Sequence, residues 1–209
     1  MIKAYLLDMD EVLIDNSKSD PKIYGEAYKN ISENTGRRIG EIEKEMKSFS
    51  ILSLEYFDWN TKILKLGGTV KLEDVHKKYS DLIKTYSDVK PTIGELRSRN
   101  KLVYAVSNGY RIFQEIKLQA SSLQKHFDNL FTSDDLGVIK ENPMFFQKLL
   151  KKIKTNPEEV VLVDDVESCL IAAKNTGIKT IRLHREGGRT ETNADYLIYT
   201  LTELPEIKW

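Results

Sequence analysis

Cysteine is almost absent from the 209-residue sequence, which contains only Cys169. A single cysteine forms no internal disulfide and excludes a zinc site built on several cysteines. Long apolar runs are also missing, since no stretch approaches the roughly 18 residues of a membrane-spanning helix. The first eight residues turn acidic too early for a signal peptide. We therefore expect a cytoplasmic protein in a reducing compartment, with no membrane partner.

An excess of charge of either sign is missing as well. The 32 Lys and Arg residues balance the 32 Asp and Glu residues, so the formal net charge is zero. This balance removes the main electrostatic reason to expect a nucleic-acid partner. With 40% apolar residues, the chain has the composition of a globular protein and not of a disordered one.

Short apolar runs alternate with helical patterns in residues 1–13 and 90–209, which is typical of βαβ units. The predicted strands are residues 3–7, 102–106, 129–132, 160–163, 180–183 and 196–199. The predicted helices of this part are residues 110–123, 143–154 and 166–176. The pattern predicts an α/β fold with a doubly wound, Rossmann-like parallel sheet, whose strands are buried on both faces.

Residues 16–88 differ from the rest, because helical patterns cover 21–35, 40–66 and 72–86 almost without interruption. Within the first of these, Ile23, Ala27 and Ile31 have the spacing of an amphipathic helix. The sequence thus predicts two domains. One is an α/β core of residues 1–15 and 89–209, and the other is a small all-helical domain of residues 16–88, inserted after the first strand.

Two carboxylates, Asp8 and Asp10, follow the first predicted strand. In an open parallel sheet, ligands bind outside the carboxyl ends of the strands. Two like charges at such an end favour a bound cation, and Mg²⁺ is the natural companion of carboxylate oxygens. A turn that merely ends the strand is the alternative, and these two residues alone leave both interpretations open.

Three further segments place polar groups near the same edge of the sheet. Ser107 and Asn108 precede a helix whose first N–H groups suit an anionic oxygen, although a plain strand-to-helix turn also explains them. Asp164 and Asp165 follow a later strand and offer the hard oxygen ligands of a Mg²⁺ site. Lys140 is distinguished from solvated surface lysines only by its place in the chain, between the serine and the acidic pair.

In this order, the polar groups resemble the four motifs of the haloacid dehalogenase (HAD) superfamily, which here read Asp8-x-Asp10, Ser107, Lys140 and Asp164-Asp165. The resemblance covers residues 1–16 and about 90–209, whereas the helical segment is similar to the family's C1 cap by position and type alone. It implies the HAD core fold with a C1-type helical cap that opens and closes over the site.

The resemblance implies a phosphatase that acts on a small phosphorylated metabolite. Asp8 would be the nucleophile that forms an aspartyl-phosphate, and Asp10 the general acid and base. The dehalogenase and phosphonatase branches of the family have no aspartate at the position of Asp10, so this residue favours phosphate-ester hydrolysis. The phosphoryl oxygens would be bound by Ser107, the Asn108 N–H group and Lys140.

The resemblance also implies a Mg²⁺ ion held by Asp8, the backbone carbonyl of Asp10 and Asp165, with Asp164 in contact directly or through water. Glu11 departs from the family, which often has glycine there, and we expect its side chain to point to solvent. A phosphomutase of the β-phosphoglucomutase type shares all four motifs and remains an alternative. So does a binding module without activity, although no catalytic position is missing.

Other residues carry weaker signals. The cap aromatics Tyr56, Phe57 and Trp59 are predicted to form a core more than to contact substrate, because a helical cap needs a core of its own. The three histidines have no metal-ligand spacing and are expected to be structural or exposed. Cys169 is expected to pack in a helix and not to act as a nucleophile. For the assembly, the sequence leaves a monomer and a homodimer open.

Overall fold

The computed structural model describes residues 1–49, 53–188 and 190–209. Its strands are β1 (Ala4–Asp8), β2 (Ile14–Asp15), β3 (Lys84–Thr85), β4 (Leu102–Ser107), β5 (Asn129–Thr132), β6 (Val160–Asp164), β7 (Lys179–Leu183) and β8 (Tyr196–Ile198). Its helices are α1 (Ser19–Thr35), α2 (Ile39–Ser48), α3 (Leu54–Phe57), α4 (Trp59–Lys65), α5 (Leu72–Lys78), α6 (Val89–Ser98), α7 (Arg111–Ala120), α8 (Ser133–Leu136), α9 (Pro143–Ile153) and α10 (Glu167–Lys174). Short 3₁₀ turns cover Ser80–Leu82, Gln124–His126, Pro157–Glu159 and Leu201–Glu206.

A six-stranded parallel sheet forms the centre of the described chain, in the order β5-β4-β1-β6-β7-β8. The first strand, β1, pairs with β4 on one side and with β6 on the other. The chain therefore winds outward in both directions from β1, and ligands of open α/β sheets bind at this kind of switch point. The predicted α/β fold with a doubly wound parallel sheet is confirmed.

Apolar layers cover both faces of the sheet. Along β1, Tyr5 and Leu7 belong to the layer on one face, whereas Ala4 and Leu6 belong to the layer on the other. This alternation follows from the two-residue period of a strand, and burial on both faces explains why the strands are continuously apolar. The sheet is thus a rigid support whose strand ends hold their side chains in fixed positions.

The chain between β2 and β3, residues 16–83, is called the helical insert below. It has an apolar cluster of its own, in which the predicted face of α1, Ile23, Ala27 and Ile31, is fully buried. Phe113 of α7 belongs to the same cluster. The insert therefore packs on α7, the helix that follows β4. This contact places the insert above the carboxyl ends of the strands.

Two predicted helices of the insert were wrong in their extent. Residues 40–66 do not form one helix, because α2 ends at Ser48 and α4 begins at Trp59, where the Asp58 carboxylate accepts a hydrogen bond from the Thr61 N–H group (3.0 Å). Residues 50–52 of this prediction lie outside the described residues. The helix predicted to reach residue 86 ends at Lys78.

Residues 16–88 are not purely helical, because β3 lies among them and pairs antiparallel with β2. Thr85 strengthens this pair, since its hydroxyl donates a hydrogen bond to the Leu13 carbonyl oxygen (2.8 Å). The two short strands close the base of the insert, which a helical pattern does not reveal. The predicted domain boundaries, 15/16 and 88/89, stay a prediction.

Arg185 ties both connections of the insert to the core. Its guanidinium forms two 3.0 Å contacts with the Asp88 carboxylate and donates hydrogen bonds to the carbonyl oxygens of Glu11 (3.1 Å) and Val12 (2.7 Å). A bidentate Arg–carboxylate pair fixes orientation as well as distance. The insert is therefore attached at a defined angle above the ends of the strands.

Candidate active site

The predicted site residues converge at the carboxyl edge of the sheet. Asp8, Ser107 and Asp164 are the last residues of the neighbouring strands β1, β4 and β6, and all three are buried. Lys140 reaches the same place from the loop before α9 and is also buried. Four segments that are far apart in the sequence thus meet because parallel strands end at one edge.

The Lys140 ammonium lies between two of these carboxylates. It forms ion pairs with Asp8 and with Asp164, the latter at 2.7 Å. The side chain of Asn108 fixes the loop that carries the lysine, because its Oδ1 accepts a hydrogen bond from the Lys140 N–H group (2.7 Å) and its Nδ2 donates one to Glu141 (2.7 Å). The Asn108 side chain therefore links the end of β4 to the lysine.

Negative charge is in excess at this edge of the sheet. Asp8, Asp164 and Asp165 lie around the ammonium of Lys140, and one oxygen from each carboxylate lies within 4.8 Å of the others. Burial raises the pKa of Asp8 well above its usual range, which Lys140 opposes and Asp164 reinforces. Burial, followed by the charge of Asp164, raises the pKa of Asp165 to about 6.

These three carboxylates fit a divalent cation. Mg²⁺ and Ca²⁺ take oxygen ligands at about 2.0–2.6 Å, so one ion can be shared by oxygens as close together as these. Burial is the main cause of the raised pKa values of Asp8 and Asp165, and a cation would offset the charge repulsion that adds to it. The predicted acidic cluster is therefore present, and its donor atoms suit Mg²⁺.

The carboxylate of Asp10 has a cation of its own. Its Oδ1 accepts hydrogen bonds from the Lys117 ammonium (2.6 Å) and from Asn16 Nδ2 (2.8 Å). Burial alone would raise the pKa of Asp10, but the charge of Lys117 and the two hydrogen bonds outweigh it, so the pKa lies below its usual range. Asp10 is therefore ionised by its own partners, and its side chain is not one of the three clustered carboxylates.

Lys117 was missed by the sequence analysis. This buried lysine lies on α7, and the signal that could have revealed it is its position on the apolar face of that helix, one turn after Phe113 and beside Leu118. Charged residues are rarely fully buried unless they are paired. A lysine on an apolar face therefore indicates a buried carboxylate partner, which here is Asp10.

Glu11 does not join the acidic cluster. Its backbone φ is 61°, in the left-handed region where glycine is favoured, which is a physical reason for the glycine that the family often has there. Its side chain is exposed and accepts hydrogen bonds from the Tyr86 hydroxyl (2.9 Å) and the Asn16 N–H group (3.4 Å). The carboxylate thus helps to fix the loop between β1 and β2.

A cavity of about 420 Å³ connects the strand ends to the insert. Asp8, Asp10, Ser107 and Lys140 line its core side. Aromatic side chains of the insert line the opposite side, and these are Tyr24, Tyr56, Phe57 and Trp59. A mostly apolar cavity with a few convergent polar groups is the usual form of a small-molecule site.

The prediction that the cap aromatics form a core more than they contact substrate stays a prediction. Tyr56, Phe57 and Trp59 all line the cavity. Trp59 both lines the cavity and packs against the insert's apolar cluster. Its ring stacks on Tyr24 with a centroid separation of 4.2 Å. The apolar cluster of the insert and the cavity thus share the rings of Tyr24 and Trp59.

Two further cavity residues were not selected from the sequence, His76 and Gln114, and both are buried. Cys169 also borders the cavity, and burial raises the pKa of its thiol far above the usual range. A protonated thiol is a poor nucleophile, which agrees with a packing role.

In the described part of the chain, no helix is long and apolar enough to cross a membrane.

Asp20 of α1 lies behind the Asp10–Lys117 pair and gives the protein a testable pH dependence. Its Oδ1 is buried without a hydrogen-bond partner among the described residues. Burial raises the pKa of Asp20 to about 6, which Lys117 opposes and Asp10 reinforces. The folded state therefore binds this proton more tightly than the unfolded state, where the pKa is about 3.9. The stabilisation is complete below pH ~4 and is lost as the pH rises through about 6.

We expect Asp20→Asn to raise the free energy of unfolding by about 2 kcal/mol at pH 8, and to leave it nearly unchanged at pH ~3.5, where Asp20 is protonated in both states. Urea unfolding of the metal-free protein at the two pH values measures this difference. Asp81→Asn, at an exposed position of the insert, is the matched control. An equal gain at both pH values would contradict the prediction.

Comparisons with known proteins agree with this geometry. A sequence model of the haloacid dehalogenase-like hydrolases matches residues 2–177. The glyceraldehyde 3-phosphate phosphatase of Pyrococcus furiosus is 28% identical over 224 residues, which cover 99% of this chain and 91% of that protein. The pyrophosphatase PpaX of Bacillus mycoides is 30% identical over 106 residues, 51% of this chain and 49% of PpaX.

A solved structure is similar over nearly the whole chain. The crystal structure of a HAD phosphatase from Thermococcus onnurineus superposes with a TM-score of 0.89 at 28% identity, and the match covers 98% of this chain and 97% of that one. The predicted enzyme class, a HAD-type phosphoric monoester hydrolase, is confirmed by these phosphatase relatives. The family match spans most of the chain, and the protein therefore belongs to the haloacid dehalogenase-like hydrolases.

Proposed function

We propose that this enzyme is a Mg²⁺-dependent phosphatase that hydrolyses the phosphate monoester of a small metabolite through an aspartyl-phosphate on Asp8. The observation that carries the proposal is that Asp8, Lys140 and Asp165 line one end of a cavity about 420 Å³ in volume, with Asp164 buried behind them against Lys140. A nucleophile, a phosphate-binding cation and a set of metal ligands thus face the same space.

The first half of the reaction transfers the phosphoryl group. A carboxylate oxygen of Asp8 attacks phosphorus, the ester P–O bond breaks, and the leaving alcohol oxygen takes a proton from Asp10. This half uses the protonated form of Asp10, which is the minor form in the free enzyme because the pKa is lowered. In the second half, water gives a proton to Asp10 and attacks phosphorus, so that phosphate leaves and Asp8 is restored. Lys117 and Asn16 favour the ionised Asp10 that this second half requires.

The transferred group needs positive charge and hydrogen-bond donors around its oxygens. Ser107, the Asn108 N–H group and Lys140 would provide them from the end of β4 and the loop before α9. Asp8, the Asp10 carbonyl and Asp165 would hold Mg²⁺, with Asp164 in contact directly or through water. When bound, the ion supplies charge that neutralises both the phosphoryl oxygens and the carboxylates.

The relatives named glyceraldehyde 3-phosphate phosphatases match this chain over almost its full length, so this ester is the first metabolite to test. We expect phosphate release from glyceraldehyde 3-phosphate and from p-nitrophenyl phosphate with Mg²⁺, and a loss on the order of 10³-fold with EDTA. Adding Mg²⁺ in excess of EDTA should restore the rate. Folded protein that releases phosphate equally well with EDTA, or from neither ester with Mg²⁺, would overturn the proposal.

A further inference from the structure

Two uncharged polar side chains line the cavity beside the aromatic side chains of the insert. His76 belongs to α5 of the insert, and Gln114 belongs to α7 of the core. Their relative exposures are 2% and 4%, so both are almost completely buried. The proposed reaction uses neither of them, and a buried polar group is costly unless it has a hydrogen-bond partner.

The tautomer of His76 follows from its neighbours. Nδ1 lies 2.9 Å from the Leu72 carbonyl oxygen, which can only accept a hydrogen bond, so Nδ1 carries the proton. The ring stacks on Phe113 with a centroid separation of 5.2 Å and an interplanar angle of 14°. Burial lowers the pKa of His76 to about 4, so the ring is neutral at pH 7. Nε2 is then a hydrogen-bond acceptor on a ring that lines the cavity.

Gln114 has hydrogen-bonding capacity that the described residues do not use. Its Oε1 is buried without a partner among them. The amide also lies against the backbone at Gly109, where an added Cβ would overlap Nε2. A buried amide oxygen without a partner is costly, and a bound molecule that donates a hydrogen bond to it recovers part of this cost.

We propose that His76 and Gln114 are specificity-determining residues that bind hydroxyl groups of the leaving alcohol, so that the substrates are phosphate esters of short hydroxylated carbon chains. One hydroxyl would donate to Nε2 of His76 and another to Oε1 of Gln114, while the aromatic side chains of the insert contact the carbon chain. The inference rests on the proposed function, because it names the substrate class of the same site.

The dimensions of the cavity agree with this substrate class. Its volume of about 420 Å³ is near the lower end of the range for small-molecule pockets, about 300–1,000 Å³, and the phosphoryl group takes up part of it. A site built to hydrogen-bond a substrate hydroxyl discriminates strongly against an analogue without it, because the buried polar groups are then left unpaired.

The test compares glycerol 3-phosphate with propyl phosphate, which has the same three-carbon chain without hydroxyls. We expect the wild-type kcat/KM ratio of the two esters to be on the order of 10² or more. His76→Phe, which retains a ring to stack on Phe113, and Gln114→Leu should each lower this ratio at least about tenfold. His126→Phe, outside the cavity, should leave the ratio at its wild-type value.

The kcat/KM ratio of the two esters distinguishes a loss of hydroxyl recognition from a loss of protein stability. A residue with a merely structural role lowers both kcat/KM values by the same factor and leaves the ratio unchanged. A wild-type ratio near one, or an unchanged ratio in both variants, overturns the inference while hydrolysis of propyl phosphate still supports the phosphatase. If neither ester nor p-nitrophenyl phosphate is hydrolysed, the proposed function and this inference both fail. A wild-type ratio near one overturns the inference even where a variant does not fold.

Discussion

Asp8→Asn is expected to lower kcat on the order of 10⁴-fold or more, because the amide that replaces the carboxylate cannot attack phosphorus. The fold should survive, since asparagine has nearly the same shape. Burial raises the pKa of the Asp8 carboxylate, so the folded protein holds this charge at a cost in stability. We therefore expect the metal-free variant to be at least as stable as the wild type.

The two measurements are turnover of p-nitrophenyl phosphate at saturating Mg²⁺ and urea unfolding in EDTA. Mass spectrometry of the enzyme quenched during turnover should find a phosphoryl group on Asp8 in the wild type and none in the variant. Asp81→Asn, an exposed carboxylate of the insert, should retain full activity. A variant of Asp8 that keeps activity within tenfold of the wild type would show that another group is the nucleophile.

Much of the core fold is predictable because its signals are local. A parallel strand that is covered on both faces is a continuous apolar run, and each of the predicted runs became a strand of the sheet. The breaks within the insert were less visible. The separate helix α4 depends on the Asp58 cap, and the pair of β2 with β3 joins residues about seventy positions apart, so no local period reveals either.

The same distinction applies to the candidate site. Asp8, Ser107 and Asp164 each follow a recognisable strand, and the sheet then brings strand ends together. Lys117 and His76 lie on helices, and they become buried beside the cavity only because the insert packs on α7. The sequence places Lys117 on the apolar face of its helix, which indicates burial, but nothing local shows which carboxylate pairs with it.

Lys140→Met is the second substitution with a large expected effect, because it removes the ammonium that pairs with Asp8 and Asp164. The phosphoryl group loses a stabilising charge, and we expect kcat/KM to fall on the order of 10³-fold. The metal-free protein should also lose about 3 kcal/mol of stability at pH 8, since the buried carboxylates of Asp8 and Asp164 lose their partner.

The pH dependence distinguishes this cost from a simple packing defect. Without the ammonium the folded-state pKa of Asp8 rises further, and a raised folded-state pKa gives stability that is complete in acid and lost as the pH increases. The deficit of Lys140→Met should therefore shrink between pH 8 and pH ~5 in urea unfolding with EDTA. Lys174→Met is the matched control, because it breaks a partly exposed pair with Asp195 (2.7 Å) that is worth less than about 1 kcal/mol. If both lysine variants lost the same stability at both pH values, Lys140 would not be the counter-ion that lets two buried carboxylates remain charged at the end of the sheet.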